Sequence, residues 1–182
     1  MTTSGEAPAL SPPVGARDHA QGPASAPLTL VEYGDFECPH CGRAHPVVKG
    51  VQKHFGARLR FVFRNFPMAT IHPHAERAAE AAEAAASHGR FWEMHDTLFE
   101  HQGALDDRHL ETYAEAIGLD RERFLRELRD GAHAGRVRED FLGGIRSGVN
   151  GTPTFFINGR RHDASWDAAT LTAALEAELA PR

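Results

Sequence analysis

From Leu28 onward the chain falls into short stretches whose apolar residues recur with two different periods. Leu28-Thr29-Leu30-Val31-Glu32-Tyr33 is partly β-branched and almost wholly apolar, which predicts a buried strand carrying one anomaly, Glu32. Gly34-Asp35 breaks it. Residues 39–55 read as a helix with Pro39 in its first turn, where the missing N–H is not needed, and Pro46 inside, where a kink is expected. Between Arg58 and Phe66 the large apolar residues Leu59, Phe61 and Phe63 alternate with Arg60, Val62 and Arg64, a strand with one strongly apolar face.

The middle of the chain has helical spacing. Apolar positions 75, 78, 79, 82, 85 and 86 are all Ala, and side chains this small permit close helix packing. Gly89 ends that helix. Phe91, Trp92, Met94, Leu98 and Phe99 predict a second helix with a bulky face. Two more are expected at about 107–117 and 121–130, introduced by Asp106 and Asp120 as N-caps and closed by Gly118 and Gly131. A weaker helix is expected at 133–146. Thr154 to Ile157 then reads as a strand, Asn158-Gly159 as a tight hairpin turn, and Arg160 to His162 as the returning strand. Ser165 is the expected cap of a last helix, 167–179. Residues 1–27 hold five of the eleven prolines and no aromatic residue. They form either an extended strap on the domain or an unstructured leader.

Composition narrows the function class. The chain has 182 residues and a net charge of −5, against a basic nucleic-acid footprint. No apolar run exceeds three residues, so no membrane span is expected. The start, MTTSGEAPAL, has neither a basic region nor an apolar segment, so a cytoplasmic location is expected. The only cysteines, Cys38 and Cys41, are too close in sequence to staple a secreted scaffold and act as a local pair.

That pair carries the chemistry. Cys38-Pro39-His40-Cys41 follows a strand and opens a helix. There the unpaired N–H groups and the helix dipole favour a thiolate on Cys38, while Cys41 lies one turn deeper. Cys38 is thus expected to carry the mixed disulfide and Cys41 to resolve it. The imidazole of His40, beside Cys38, adds a hydrogen bond or a positive charge. A fall of the Cys38 pKa from about 8.5 to about 5.5 corresponds at pH 7 to roughly 45 mV toward an oxidant. Glu32, six residues before Cys38, is expected beneath the helix, where a buried carboxylate needs a reason; accepting the Cys41 proton is one, an edge position or an ion pair another. Gly151-Thr152-Pro153-Thr154 is compatible with a cis peptide that turns the Thr152 backbone toward an extended substrate, although most Thr-Pro bonds are trans.

The rivals are weaker. Structural zinc needs four ligands and there is no second cysteine pair; His40 and His45 are the nearest of twelve histidines. His72-Pro73-His74 is read as turn and helix start, His95 as packed or bonded at a helix surface, and Phe91 and Trp92 as core of a helical cap. A peptide-binding or chaperone-like module would not need both cysteines, and a glutathione-dependent enzyme on such a scaffold normally lacks the second.

In the order of its elements and in the segments VEYGDFECPHC (31–41), FRNFP with HPHAERAAEAAEAA (63–85), FWEMHDTLF (91–99) and GTPTFFING (151–159), the chain resembles the DsbA-like branch of the thioredoxin superfamily. The resemblance implies an α/β thioredoxin-like fold, residues 28–67 and 147–182, with an inserted helical cap at 68–146. It implies a cis Pro153 against the cysteines, an exposed nucleophilic Cys38, a buried Cys41, and Glu32 as the family's buried acid. The expected function is thiol–disulfide exchange with protein or peptide substrates, with Thr152 and Pro153 positioning them. No cofactor or metal is expected, because the redox equivalents reside in the cysteines. A thioredoxin system or a low-molecular-weight thiol is the expected redox partner; nucleic acid and membrane are not expected partners.

Overall fold

The computed structural model describes residues 8–180. Its centre is a five-stranded sheet of order β1-β3-β2-β4-β5, formed by β1 (His19–Gln21), β2 (Leu28–Gly34), β3 (Leu59–Asn65), β4 (Thr154–Ile157) and β5 (Arg160–His162). β2 and β3 run parallel, with Leu28 opposite Leu59 and Gly34 opposite Asn65. The other pairs are antiparallel. β2 and β3 are buried along almost their whole length because they are covered on both faces.

The alternation along β2 decides what lies where. Leu28 and Leu30 point to one face with Phe61, Phe63, Phe155 and Ile157; Val31 and Tyr33 point to the other with Val62 and Phe156. The first face is covered by α1 (Pro39–Phe55), which buries Cys41, Ala44, Val48, Val51 and Phe55 as one stripe. Glu32 has the parity of Leu28 and Leu30 and therefore lies on the face that α1 covers. α3 (Phe91–Glu100) and α7 (Ala168–Leu179) add Phe91, Met94, Leu98, Leu171 and Leu175 to this core. Between β3 and β4 run α2 (Ala75–Ser87), α3, α4 (Asp107–Ala116), α5 (Arg121–Arg129) and α6 (Ala134–Arg146). Asp106 and Asp120 accept hydrogen bonds from the first-turn amides of α4 and α5, and Gly118 and Gly131 follow them with positive φ.

Three features differ from the sequence-based expectations. First, the stretch read as either a strap or an unstructured leader contributes the edge strand β1, pairing His19 with Phe63. Its approach is held by Arg64, which donates to Asp18, to the carbonyls of Pro12 and Pro13, and to the Tyr33 hydroxyl. These long-range contacts leave no trace in local composition. Residues 1–7 of that leader lie outside the described residues. Second, α6 is not confined to a cap beside the site. It covers the second face of the sheet, where glycine at 144 lets Phe66 and Tyr33 come within 3.1 Å of where a Cβ would stand. Third, the last helix is capped by Asp167, whose carboxylate accepts from the Thr170 amide, and begins at Ala168; Ser165 instead accepts from the Asp167 amide. A carboxylate two residues nearer the helix is the stronger cap. The hairpin turn has positive φ at both Asn158 and Gly159, as a two-residue turn between twisted strands requires.

Candidate active site

β2 ends at Gly34, and the chain turns through Asp35, Phe36 and Glu37 into the first turn of α1. Cys38 is the N-cap residue of that helix, with extended backbone angles and no side-chain cap of its own, and Pro39 follows inside. Both cysteines are reduced. Cys41 is fully buried and Cys38 is 4 % exposed. The nucleophile position is thus more covered than the family resemblance implied, because the Thr152–Pro153 segment lies over it: Cys38 Sγ is 3.4 Å from the Thr152 carbonyl oxygen. The Thr152–Pro153 peptide is cis.

The two sulfurs face opposite electrostatic environments. The Cys38 thiol is lowered to about 5, chiefly by the hydrogen bond Cys41 gives it, against the cost of its burial. The Thr152 side chain and the backbone N–H groups of Cys41 and His40 lower it further. The bond to the Thr152 carbonyl is available only to the protonated thiol and is given up on ionisation. Burial pushes the Cys41 thiol well up, reinforced by its bond to Cys38 and by the Glu32 charge; the Asp35 amide, 3.5 Å from its sulfur, works the other way. Glu32 is raised to about 8, first by burial and then by the Cys38 charge. Its Oε1 is buried without a hydrogen-bond partner among the described residues.

The sequence-predicted site residues do not all act as expected. Cys38 meets the carbonyl of Thr152 at the cis Thr152–Pro153 peptide, and Glu32 lies near enough for its charge to act on Cys41 and that of Cys38 to act on it. Pro39 occupies the first turn of α1. His40 is exposed and its Nδ1 lies 2.7 Å from an Arg43 guanidinium nitrogen, away from the sulfur. Its contribution to Cys38 runs through its backbone N–H. His95, read as packed or bonded at a helix surface, is packed among Phe36, Phe63, Trp92 and Phe99 and fully buried, and burial lowers it to about 4.

Other residues at the site were missed. Buried Asp35 is the hub of the turn. Its Oδ1 accepts from the Glu37 amide, and its Oδ2 accepts from the Met68 amide and lies 2.7 Å from His72 Nδ1. Glu37 accepts from the His74 amide and lies 2.9 Å from His74 Nδ1. Gln102 donates to the carbonyls of Phe36 and Cys38. The signals existed in part: two acids flanking the pair, and His-Pro-His downstream. Nothing local points to Gln102.

Among the described residues, His45, His95 and Asp96 could hold a metal, their donor atoms lying within 4.8 Å of one another. Lys49 Nζ, however, donates to Asp96 Oδ2 at 2.6 Å, and His95 Nδ1 lies 2.9 Å from Oδ1. The set is a closed bridge between α1 and α3, with an ammonium where a cation would have to enter.

Residues 16–177 match the family model described as Thioredoxin. BdbD from Bacillus subtilis, in its oxidised form, is 25% identical with a TM-score of 0.80, over 89% of this chain and 92% of that one. A thioredoxin-like oxidoreductase from Silicibacter pomeroyi is also 25% identical, with a TM-score of 0.80, over 92% and 95%. The α-DsbA1 of Wolbachia pipientis, 19% identical with a TM-score of 0.76 over 91% and 92%, shares the fold. The Na(+)/H(+) antiporter NhaA 1 of Salinispora arenicola is 51% identical over 164 residues, which are 90% of this chain and 25% of that protein. The antiporter NhaA of Herminiimonas arsenicoxydans is 48% identical over 92% of this chain and 27% of its own length. The chain thus spans about a quarter of the length of these curated relatives.

Proposed function

The chain belongs to the thioredoxin family, and on that premise we propose that it is a protein thiol–disulfide oxidoreductase working through Cys38 and Cys41. One observation carries this: two buried cysteines on one helical turn at the start of α1, with their acidities displaced in opposite directions.

In the oxidised enzyme a substrate thiolate attacks Cys38 Sγ. The Cys38–Cys41 bond breaks and Cys41 leaves as a thiolate, which takes a proton. A second substrate thiolate then attacks the substrate sulfur of the mixed disulfide, and Cys38 departs as a thiolate with the substrate disulfide formed. Run backward, the same steps reduce a substrate. The low Cys38 pKa makes its thiolate a good leaving group and stabilises the reduced pair, so we assign the forward, oxidising direction. A low-molecular-weight disulfide or a partner oxidoreductase restores the Cys38–Cys41 bond.

Glu32 acts as the proton carrier of Cys41. The Cys38 charge is one of the two causes holding Glu32 protonated. When Cys38 is neutral in the mixed disulfide, that contribution vanishes while burial persists, so Glu32 gives up its proton more readily at the stage when reducing turnover requires Cys41 to lose its own. Thr152 and Pro153 present backbone to an extended substrate.

The antiport named in the relatives belongs, on this proposal, to the three-quarters of those chains outside the match. Among the described residues no helix is long and apolar enough to cross a membrane.

The test is trapping. Cys41→Ser is expected to accumulate mixed disulfides with substrate proteins, visible as reductant-sensitive mass shifts, whereas Cys38→Ser accumulates none. Equal trapping by both variants rules out the assigned roles.

A further inference from the structure

In the exchange reaction Cys41 carries charge in the less favourable place. It leaves as a thiolate when a substrate attacks Cys38, and it attacks as a thiolate when it resolves a mixed disulfide. It is fully buried, so water does little to stabilise that charge. Asp35, in the turn before α1, faces it. The Asp35 N–H donates to Cys41 Sγ at 3.5 Å, and the carbonyl of the same residue accepts from the Cys38 N–H at 3.1 Å. One backbone unit therefore touches both cysteines. Its amide opposes the burial that pushes the Cys41 thiol up.

The Asp35 side chain points away from that contact and is fully buried. Three donors fix it. Oδ1 accepts from the Glu37 amide at 2.8 Å, and Oδ2 accepts from the Met68 amide at 2.8 Å. His72 Nδ1 lies 2.7 Å from the same Oδ2 and, facing a carboxylate oxygen, carries the hydrogen. Two of the three donors come from the segment after β3, 33 and 37 residues along the chain. Rotating the side chain would leave the Met68 amide and the imidazole without their acceptor. Donors on both oxygens require an acceptor-only group; in asparagine the side-chain nitrogen would meet a donor on one side or the other. The exchange steps give this carboxylate neither substrate nor proton to handle.

We propose that Asp35 is a positioning residue of the exchange reaction: its carboxylate, gripped by Met68 and His72, fixes the turn so that its own N–H points at Cys41 Sγ when that sulfur carries charge. The proposal rests on the exchange function above and adds the residue that governs its second sulfur. Removing a donor aimed at developing charge costs about 10²–10³-fold in enzymes, and displacing one that faces the diffuse charge of sulfur is expected to cost about 10-fold. The carboxylate charge by itself would disfavour a thiolate nearby. A neutral amide in its place therefore separates two roles: lost positioning slows the Cys41 step, lost charge speeds it.

The test mixes the whole chain, reduced, with excess glutathione disulfide and quenches with acid at intervals for mass analysis. Cys38 thiolate attacks one glutathione sulfur, the glutathione disulfide bond breaks, and one glutathione leaves as its thiolate. Cys41 then gives up its proton and attacks Cys38 Sγ. The bond from Cys38 to glutathione breaks, the second glutathione leaves as a thiolate, and the Cys38–Cys41 disulfide closes. Rise and decay of the glutathione adduct give the two rates separately.

Asp35→Asn should slow the second step at least about 10-fold while changing the first by less than about 2-fold. His72→Ala, which removes one donor, should slow the second step about 3-fold, and His72→Asn, whose amide can stand in for Nδ1, should recover most of that loss. General loosening of the turn would move both steps, so equal slowing of the two overturns the proposal. So does an unchanged or faster second step in Asp35→Asn, or a loss in His72→Ala that His72→Asn does not recover. If Asp35→Asn does not fold, the two His72 variants decide. If the unmodified chain never closes the Cys38–Cys41 disulfide, the exchange function falls, and this inference with it.

Discussion

Cys38 owes its acidity to position more than to neighbours of opposite charge. It caps α1, and the groups that stabilise its thiolate are the Cys41 thiol, the Thr152 side chain and two backbone amides. Its alkylation rate should therefore rise with pH about a midpoint near 5, and Cys41→Ala, which removes the largest stabilising bond, should move that midpoint upward. A midpoint in the ordinary thiol range for the unmodified chain would contradict the assignment. Glu32 is the complementary case. Glu32→Gln is expected to slow resolution of a trapped peptide mixed disulfide on the order of 10²-fold, the lower end of what a positioned proton carrier supplies. The same substitution has a stability signature. The carboxyl is raised from 4.5 in the unfolded chain to about 8 in the folded one. Its favourable contribution is full below pH 4.5 and is lost as the pH rises through about 8. Melting temperatures of the Glu32→Gln variant and the unmodified chain should thus diverge across that window, the unmodified chain losing ground as the pH climbs. Parallel melting curves would mean that Glu32 does not change its proton affinity on folding.

At the scale of elements, the strand–turn–helix that carries the cysteines was legible because each part has a local cause. The apolar run of residues 28–33, the Gly34-Asp35 break and Pro39 at a helix start all act within a few residues. The helices behind Asp106 and Asp120 were legible for the same reason. What escaped was decided between elements: Asp35 tying the turn to Met68 and His72, Gln102 reaching from beyond α3, and β1 completing the sheet edge. The covering of the second face by α6 belongs here too. Gly144→Ala would place a Cβ 2.6 Å from the Phe66 ring, which is packed against Tyr33 and Phe141 and has little room to yield. Overpacking of this kind should cost about 1–3 kcal/mol in urea unfolding. Gly143→Ala, whose nearest contact would be 3.4 Å, should be neutral or stabilising by up to about 1 kcal/mol through helix propensity. Equal effects at the two positions would mean that α6 does not approach the sheet as described.

For the molecule as a whole the decisive quantity is the reduction potential of the Cys38–Cys41 pair. Thioredoxin, with a nucleophile pKa near 7, stands at about −270 mV. A nucleophile at about 5 stabilises the reduced form further at pH 7, and by linkage that alone adds about 50 mV. Equilibration with glutathione at pH 7, read by alkylation mass shift, is therefore expected near or above about −220 mV. A value at or below that of thioredoxin would reverse the direction of electron flow assigned above while leaving the exchange chemistry in place.

The sequence by itself determined the α/β class, most elements to within a residue or two, and the choice of Cys38 and Cys41. All of these follow from periodicity, capping and the spacing of two residues on one turn, which act over a few positions. The tertiary structure decided the rest. It left the buried Glu32 without an ion pair or hydrogen-bond partner at Oε1 among the described residues, laid Thr152 over Cys38 from 114 residues away, and turned His40 toward Arg43. Burial and electrostatic coupling depend on what surrounds a group in space, so the acidities on which the chemistry rests exist only once the chain has folded.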